Sequence, residues 1–155
     1  MKEKLHEGIV WQWTVATFIF WFVLIGYVLW IYLVQDPGIG LPLFLGFSVL
    51  LLIVSYVWAR LSYDNYSYDI GEREVNIERG VIYKKYVSIP YGRVQNVNVV
   101  RGIFARIFGY STLQIETAGT SGVNRAEGLI PAVPVDKAMQ FRDKIMEKIS
   151  GKQGL

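Results

Sequence analysis

GIVWQWTVATFIFWFVLIGYVLWIYLVQ, residues 8–35, contains no charged side chain, and after a lone Asp36 the chain stays uncharged through PGIGLPLFLGFSVLLLIVSYVWA, residues 37–59. A helix needs about 20 apolar residues to cross a bilayer. Each run is long enough, and a soluble domain has no reason to keep charge out of stretches of this length. The pattern predicts a two-helix transmembrane hairpin followed by a soluble C-terminal half. The first run exceeds the ~7–15 residues of a signal-peptide core and no small-residue cleavage site follows it, so it is expected to be retained.

Helix one is expected over residues 9–34 and helix two over 43–61. The intervening Gln35-Asp36-Pro37-Gly38-Ile39-Gly40-Leu41-Pro42, with two prolines and two glycines, reads as a turn. Trp11 and Trp13 stand at one end of helix one, and Trp30 and Tyr32 at the other. Tyr56 and Trp58 mark the returning end of helix two, which Arg60 closes. Amphipathic rings favour the two membrane–water interfaces, so these residues are the expected anchors. Lys2 and Lys4 precede the hairpin, Arg60 follows it, and the connecting turn has no basic residue. The positive-inside rule then puts both termini in the cytoplasm, with the protein multi-pass in the cytoplasmic membrane. Neither run carries an ionisable residue at its middle, which argues against an ion or proton path through this chain alone. Gly26 and Gly46 read as scattered small residues rather than as a close helix crossing.

The second half is different in kind. Residues 60–155 hold 14 of the 16 Lys/Arg and 10 of the 13 Asp/Glu, a net of +4. These residues suffice for one small domain with a core. There is no cysteine, so disulfides and thiolate metal sites are excluded.

Period-2 patterns dominate this half. Residues 66–70 read as a strand closed by Gly71-Glu72. Glu74-Val75-Asn76-Ile77-Glu78 alternates polar and apolar, the mark of a half-buried antiparallel strand. Arg79-Gly80 turns the chain into an expected hairpin partner over 81–89, which Pro90-Tyr91-Gly92 breaks. Strands are also expected over 95–99, 113–117 and 129–133, with a glycine-rich loop at 118–128. Ile103-Phe104-Ala105-Arg106-Ile107-Phe108 fits a short helix ended by Gly109. Asp136 is the expected cap of a final helix whose Ala138, Phe141, Ile145 and Ile149 share one face. Many short strands followed by one amphipathic helix suggest a small antiparallel barrel or sandwich with the helix over an open end.

Arg79-Gly80, Ile89-Pro90, Arg93-Val94-Gln95-Asn96-Val97, Phe108-Gly109, Thr112-Leu113 and Glu116-Thr117-Ala118-Gly119 follow one another in an order that resembles the bacterial pleckstrin-homology-like (PH-like) domain, found in small prokaryotic membrane proteins. The resemblance covers residues 66–149, and a helical hairpin just before the domain is usual in that family. It implies a mainly-β PH-like barrel capped by a C-terminal helix over 62–150, after an N-terminal tail and two spans in 1–61, with 151–155 a flexible tail. Function does not follow from the fold. Eukaryotic lipid-binding pleckstrin domains grip phosphoinositides with a basic first hairpin, whereas here that turn is Gly71-Glu72-Arg73-Glu74. Inositol-phosphate recognition is not expected there.

Few residues could carry chemistry. The single histidine, His6, falls in the N-terminal tail and is expected to be solvated, so no Ser-His-Asp arrangement can form within 62–150. A zinc site would need His or Cys clusters that this chain lacks. The glycine-rich loop has no Gly-Lys-Ser/Thr ending. Glu74, Glu78 and Glu116 fall at outward strand positions. No catalytic residue, metal or cofactor is expected. Lys84, Lys85, Arg101 and Arg106 are the candidate lipid contacts. The segment 101–108 could lie on the bilayer with its arginines on phosphates, although the family resemblance favours its apolar residues as core. Nucleic acid is not an expected partner, since no basic stripe interleaves with stacking aromatics. The leading expectation is a non-enzymatic, membrane-anchored interaction or assembly module at the inner face of the cytoplasmic membrane, binding a protein partner or a second copy of itself. The alternative is a tethered sensor of anionic lipid, and the third reading a subunit of an enzyme or transport complex.

Overall fold

A computed structural model describes residues 2–117 and 126–150, without the side chains of Tyr32, Leu33, Pro37, Ala126, Glu127 and Ser150. Of the loop expected over 118–128, residues 118–125 lie outside the described residues and 126–128 are strand instead; the expected flexible tail at 151–155 also lies outside the described residues. The chain divides into two compact units: Val10–Leu61, and the residues up to Ile9 together with those from Ser62 on.

The apolar unit is a helical hairpin, α1 over Gly8–Gln35 and α2 over Pro37–Asp64. Both helices run longer than expected, and the eight-residue turn shrinks to Asp36 alone. Asp36 caps α2: its carboxylate accepts from the Gly38 N–H at 3.1 Å and its carbonyl from the Gly40 N–H at 2.7 Å. Proline at the first helical position loses only an N–H that had no partner there. Pro42 lies inside α2, where in apolar surroundings helix is still the cheapest way to pair the remaining backbone groups. Trp11 meets Tyr56 at 5.9 Å between ring centroids, and Phe22 meets Phe44 at 5.7 Å. The Thr14 hydroxyl donates to the Val10 carbonyl at 2.7 Å and that of Ser48 to Phe44 at 2.7 Å. Gly46 has nothing within 4 Å of a notional Cβ, and Gly26 only Phe22 of its own helix; neither marks a helix crossing. In the most apolar stretches of the two helices only 6% and 11% of residues are buried.

The second unit contains two three-stranded antiparallel sheets, ordered β1-β2-β3 and β4-β5-β6. β1 is Ser67–Ile70, β2 Glu74–Arg79 and β3 Lys85–Pro90; a 3-10 turn at Tyr91–Arg93 leads to β4, Val94–Val100. The short helix α3, Ile103–Phe108, connects β4 to β5, Tyr110–Thr117; β6 is Ala126–Pro134 and α4 Val135–Ser150. This is the PH-like arrangement, with two ladders that, among the described residues, do not join into a closed barrel.

Alternation sets the faces. Val75 and Ile77 of β2 and Leu113 and Ile115 of β5 are buried, and the two sheets meet at Gly128. A Cβ there would stand 2.5 Å from Ile89 Cδ1 and 3.4 Å from Ile77 Cδ1. α4 packs Ala138 and Ile145 inward, and its Phe141 ring meets Tyr68 edge-on at 6.2 Å. Asp136 falls in the first turn of α4 rather than at its cap, where its charge still suits the helix N-terminus. The hairpin partner expected over 81–89 is shorter, because Gly80 adopts φ +119° and 81–84 form a wide turn.

The N-terminal segment belongs to this unit. Glu3 and Tyr68 exchange backbone hydrogen bonds at 2.7 and 3.1 Å, extending the first sheet beyond β1. The His6 N–H donates to the Ala132 carbonyl at 2.6 Å, at a bulge where Ala132 takes φ +50°. The Tyr63 hydroxyl donates to the Leu5 carbonyl at 3.2 Å, and Leu5 is 4% exposed. His6 is half-buried rather than a solvated tail residue: its ring lies 5.8 Å from that of Tyr110 and its Nδ1 accepts from the Gly8 N–H at 3.1 Å.

Candidate interaction surface

Among the described residues, no three of His, Asp and Glu gather as metal ligands would. What the second unit offers instead is apolar surface that its own core does not use.

The first patch is the β2–β3 hairpin. Ile82 is 72% exposed and Tyr83 87%, and Tyr86 on β3 is 68% exposed. Gly80 makes the turn possible, since a Cβ there would fall 1.9 Å from the Tyr83 carbonyl oxygen. Beside the hairpin is a depression of ≈ 270 Å³ lined by Lys2, Tyr68, Asn76, Glu78, Tyr86 and Ser88. Glu78 is its charged centre. Lys2 approaches it at 2.7 Å and Lys84 at 3.5 Å. The hydrogen bond from Lys2 holds the Glu78 carboxyl below the usual carboxylate range, and Glu78 in turn raises the Lys2 ammonium. Lys84 is thus engaged within the hairpin, while Lys85 is exposed on β3 opposite Arg79.

The second patch is α3. Ile103 is 76% exposed, Ile107 70% and Phe104 42%; Ala105 alone is buried. The expectation that these apolar residues form core is therefore corrected for Ile103, Phe104 and Ile107, while Phe108 is half-buried. Six residues ended by Gly109 at φ +74° give under two turns, and Ala105 with the half-buried Phe108 suffices to seat them. Arg101 and Arg106 are exposed and make no ion pair among the described residues. The four candidate basic residues fall into two pairs, Lys84 and Lys85 at the β2–β3 hairpin and Arg101 and Arg106 at α3.

The sequence carries a signal that the residue-by-residue reading passes over. From Arg79 to Ile115 there are six basic residues and no Asp or Glu. Asp64 to Glu78, just before, holds five acidic residues and one arginine. Both apolar patches fall inside the acid-free stretch.

In the hairpin, Trp11, Trp30, Tyr56 and Trp58 are between 41% and 57% exposed. Trp13 is half-buried and Arg60 exposed, and the Tyr32 side chain lies outside the described residues. The Trp11–Tyr56 contact joins the first end of α1 to the last part of α2.

The chain is 32% identical over 108 residues to the transmembrane protein YdbT of Bacillus subtilis, covering 66% of this chain and 21% of that protein. It is 28% identical over 94 residues to the transmembrane protein YdbS of the same organism, covering 61% of this chain and 55% of YdbS. The chain thus spans about a fifth and about half the length of these two relatives. No solved structure matches it. The bacterial PH domain family matches residues 8–149, hairpin and sheets together, and this chain is a transmembrane member of the bacterial PH domain family.

Proposed function

We propose that the protein is a non-enzymatic interaction module, anchored by its hairpin in the cytoplasmic membrane with both termini on the cytoplasmic side, and that it assembles with a partner protein or a second copy of itself. The observation that carries this reading is the β2–β3 hairpin. It holds Ile82, Tyr83 and Tyr86 in water at 68–87% exposure, and tyrosines of this kind are enriched in the centres of protein interfaces. The residue types support a binding role over catalysis, since the one histidine is committed to the N-terminal segment. The basic residues on both sides of an uncharged hairpin support the orientation.

The test is affinity capture of the tagged full chain from its native membranes, with the Ile82→Asp/Tyr83→Asp variant in parallel. A specific protein retained by the parent chain and lost by the variant is expected. Capture of no specific protein and no second copy would remove the reading. The anionic-lipid alternative rests on a different observation, the exposed α3.

A further inference from the structure

We propose that α3 is a third membrane contact: it lies in the headgroup region of the bilayer that the chain itself crosses, with Ile103, Phe104 and Ile107 among the upper acyl segments and Arg101 and Arg106 on lipid phosphates. The uncharged run begins at Gly8, the first residue of α1. Trp11 stands three residues further on, about 4.5 Å along a helix, and tryptophan marks the headgroup level. Gly8 therefore lies at or just outside that level.

α3 is fixed against this residue. A Cβ at Gly8 would meet the Cβ of Phe108 at 2.9 Å. Phe108 stacks on Tyr110 at 6.5 Å with an interplanar angle of 10°, and Tyr110 meets the ring of His6. The row of rings from His6 through Tyr110 to Phe108 holds α3 beside the point where the chain runs into its first span. An interfacial helix buries its apolar face about 5–10 Å into the headgroup and acyl boundary.

Chemistry selects the bilayer over a protein as occupant. Ile103 and Phe104, between Arg101 and Arg106, and Ile107, just after Arg106, are exposed, and the two arginines have no ion pair among the described residues. From Arg79 to Ile115 the chain carries no acidic residue, so the basic charge of Arg101 and Arg106 is not offset within their own segment; Glu7, next to Gly8, is the one acid adjacent in sequence to the residue that α3 touches. Membrane anchoring of the hairpin is the one premise shared with the proposed function; capture of a partner protein is a separate readout, and either can fail alone.

The chain has no cysteine, so single-cysteine variants need no background removal. Ile103→Cys, Ile107→Cys and, as a control on the exposed side of α4, Met146→Cys would be labelled with an environment-sensitive fluorophore. The full chain would then be placed in nanodiscs of phosphatidylglycerol and phosphatidylcholine, with and without brominated acyl chains. All three positions are exposed, so the substitutions leave the core intact. The expected result is blue-shifted emission at 103 and 107 that brominated lipid quenches, against water-like, unquenched emission at 146. Water-like emission at 103 and 107 would overturn the proposal. So would blue-shifted emission that brominated lipid leaves unquenched, since that means protein covers α3.

Discussion

Glu78 shows how one side chain ties the N-terminus to the hairpin. Its folded pKa is lowered from the model-compound value of 4.5, first by the hydrogen bond from Lys2. A depressed carboxylate contributes stability that is present above its unfolded pKa and lost as pH falls through the folded value. The Lys2–Glu78 contact therefore loosens in acid, below the ordinary carboxylate range. The measurement is a carboxyl-carbon NMR titration: Glu78 should titrate below the usual carboxylate range, and Lys2→Ala should return it towards that range. At the alkaline end, burial pushes the Tyr66 hydroxyl up to about 12. Its stabilising effect is complete below the unfolded value of 10.0 and lost between there and about pH 12. Gly80 makes a sharper point. At φ +119°, with the Tyr83 carbonyl oxygen 1.9 Å from any Cβ, Gly80→Ala should cost on the order of 1–3 kcal/mol in an unfolding titration and displace Ile82 and Tyr83. None of these three details follows from composition or period. Arg79-Gly80 announces a turn, but only the coordinates give its width and its exposed tip.

Among elements, strands with clean alternation were the most legible. Val75 and Ile77, and Leu113 and Ile115, are buried as their spacing requires, and the α4 stripe packs as its period implies. The N-terminal segment was not legible. Residues 2–7 are short and mostly polar, with no period to follow, and Leu5 becomes core only through contacts with residues about 60 positions away. This gives a direct test. Leu5→Ala should destabilise the second unit by about 2–5 kcal/mol, seen as an earlier unfolding transition of the full chain, although Leu5 lies outside the strands and α4. A fragment starting at residue 62 should be weakened for the same reason. At Gly128 the second sheet packs against Ile89 and Ile77 of the first. Gly128→Val, pressing on Ile89 and Ile77, should cost about 1–3 kcal/mol by overpacking. For α3, spacing revealed an apolar face but not what covers it. Amphipathic period is the same for a helix facing a core and one facing a bilayer, so the reading of these residues as core failed where the helix proved too short to bury them.

At the scale of the molecule, the sequence is divided twice: an uncharged hairpin before a charged domain, then an acidic stretch before an acid-free basic one. The first division made two membrane-spanning helices legible from residue types alone, whereas the PH-like domain was legible only through the resemblance of an ordered set of short motifs. The second places both exposed apolar patches in surroundings that favour an anionic leaflet or an acidic partner. A hairpin with only 6% and 11% of its most apolar stretches buried and a domain with exposed tyrosines both present surface that further contacts would cover. The central claim is that this membrane-anchored domain is one part of an assembly. Native mass spectrometry of the complex, gently extracted from its own membrane, tests it most directly. The expected result is a mass containing a second protein species or more than one copy of the chain. A single copy carrying nothing but lipid would contradict it.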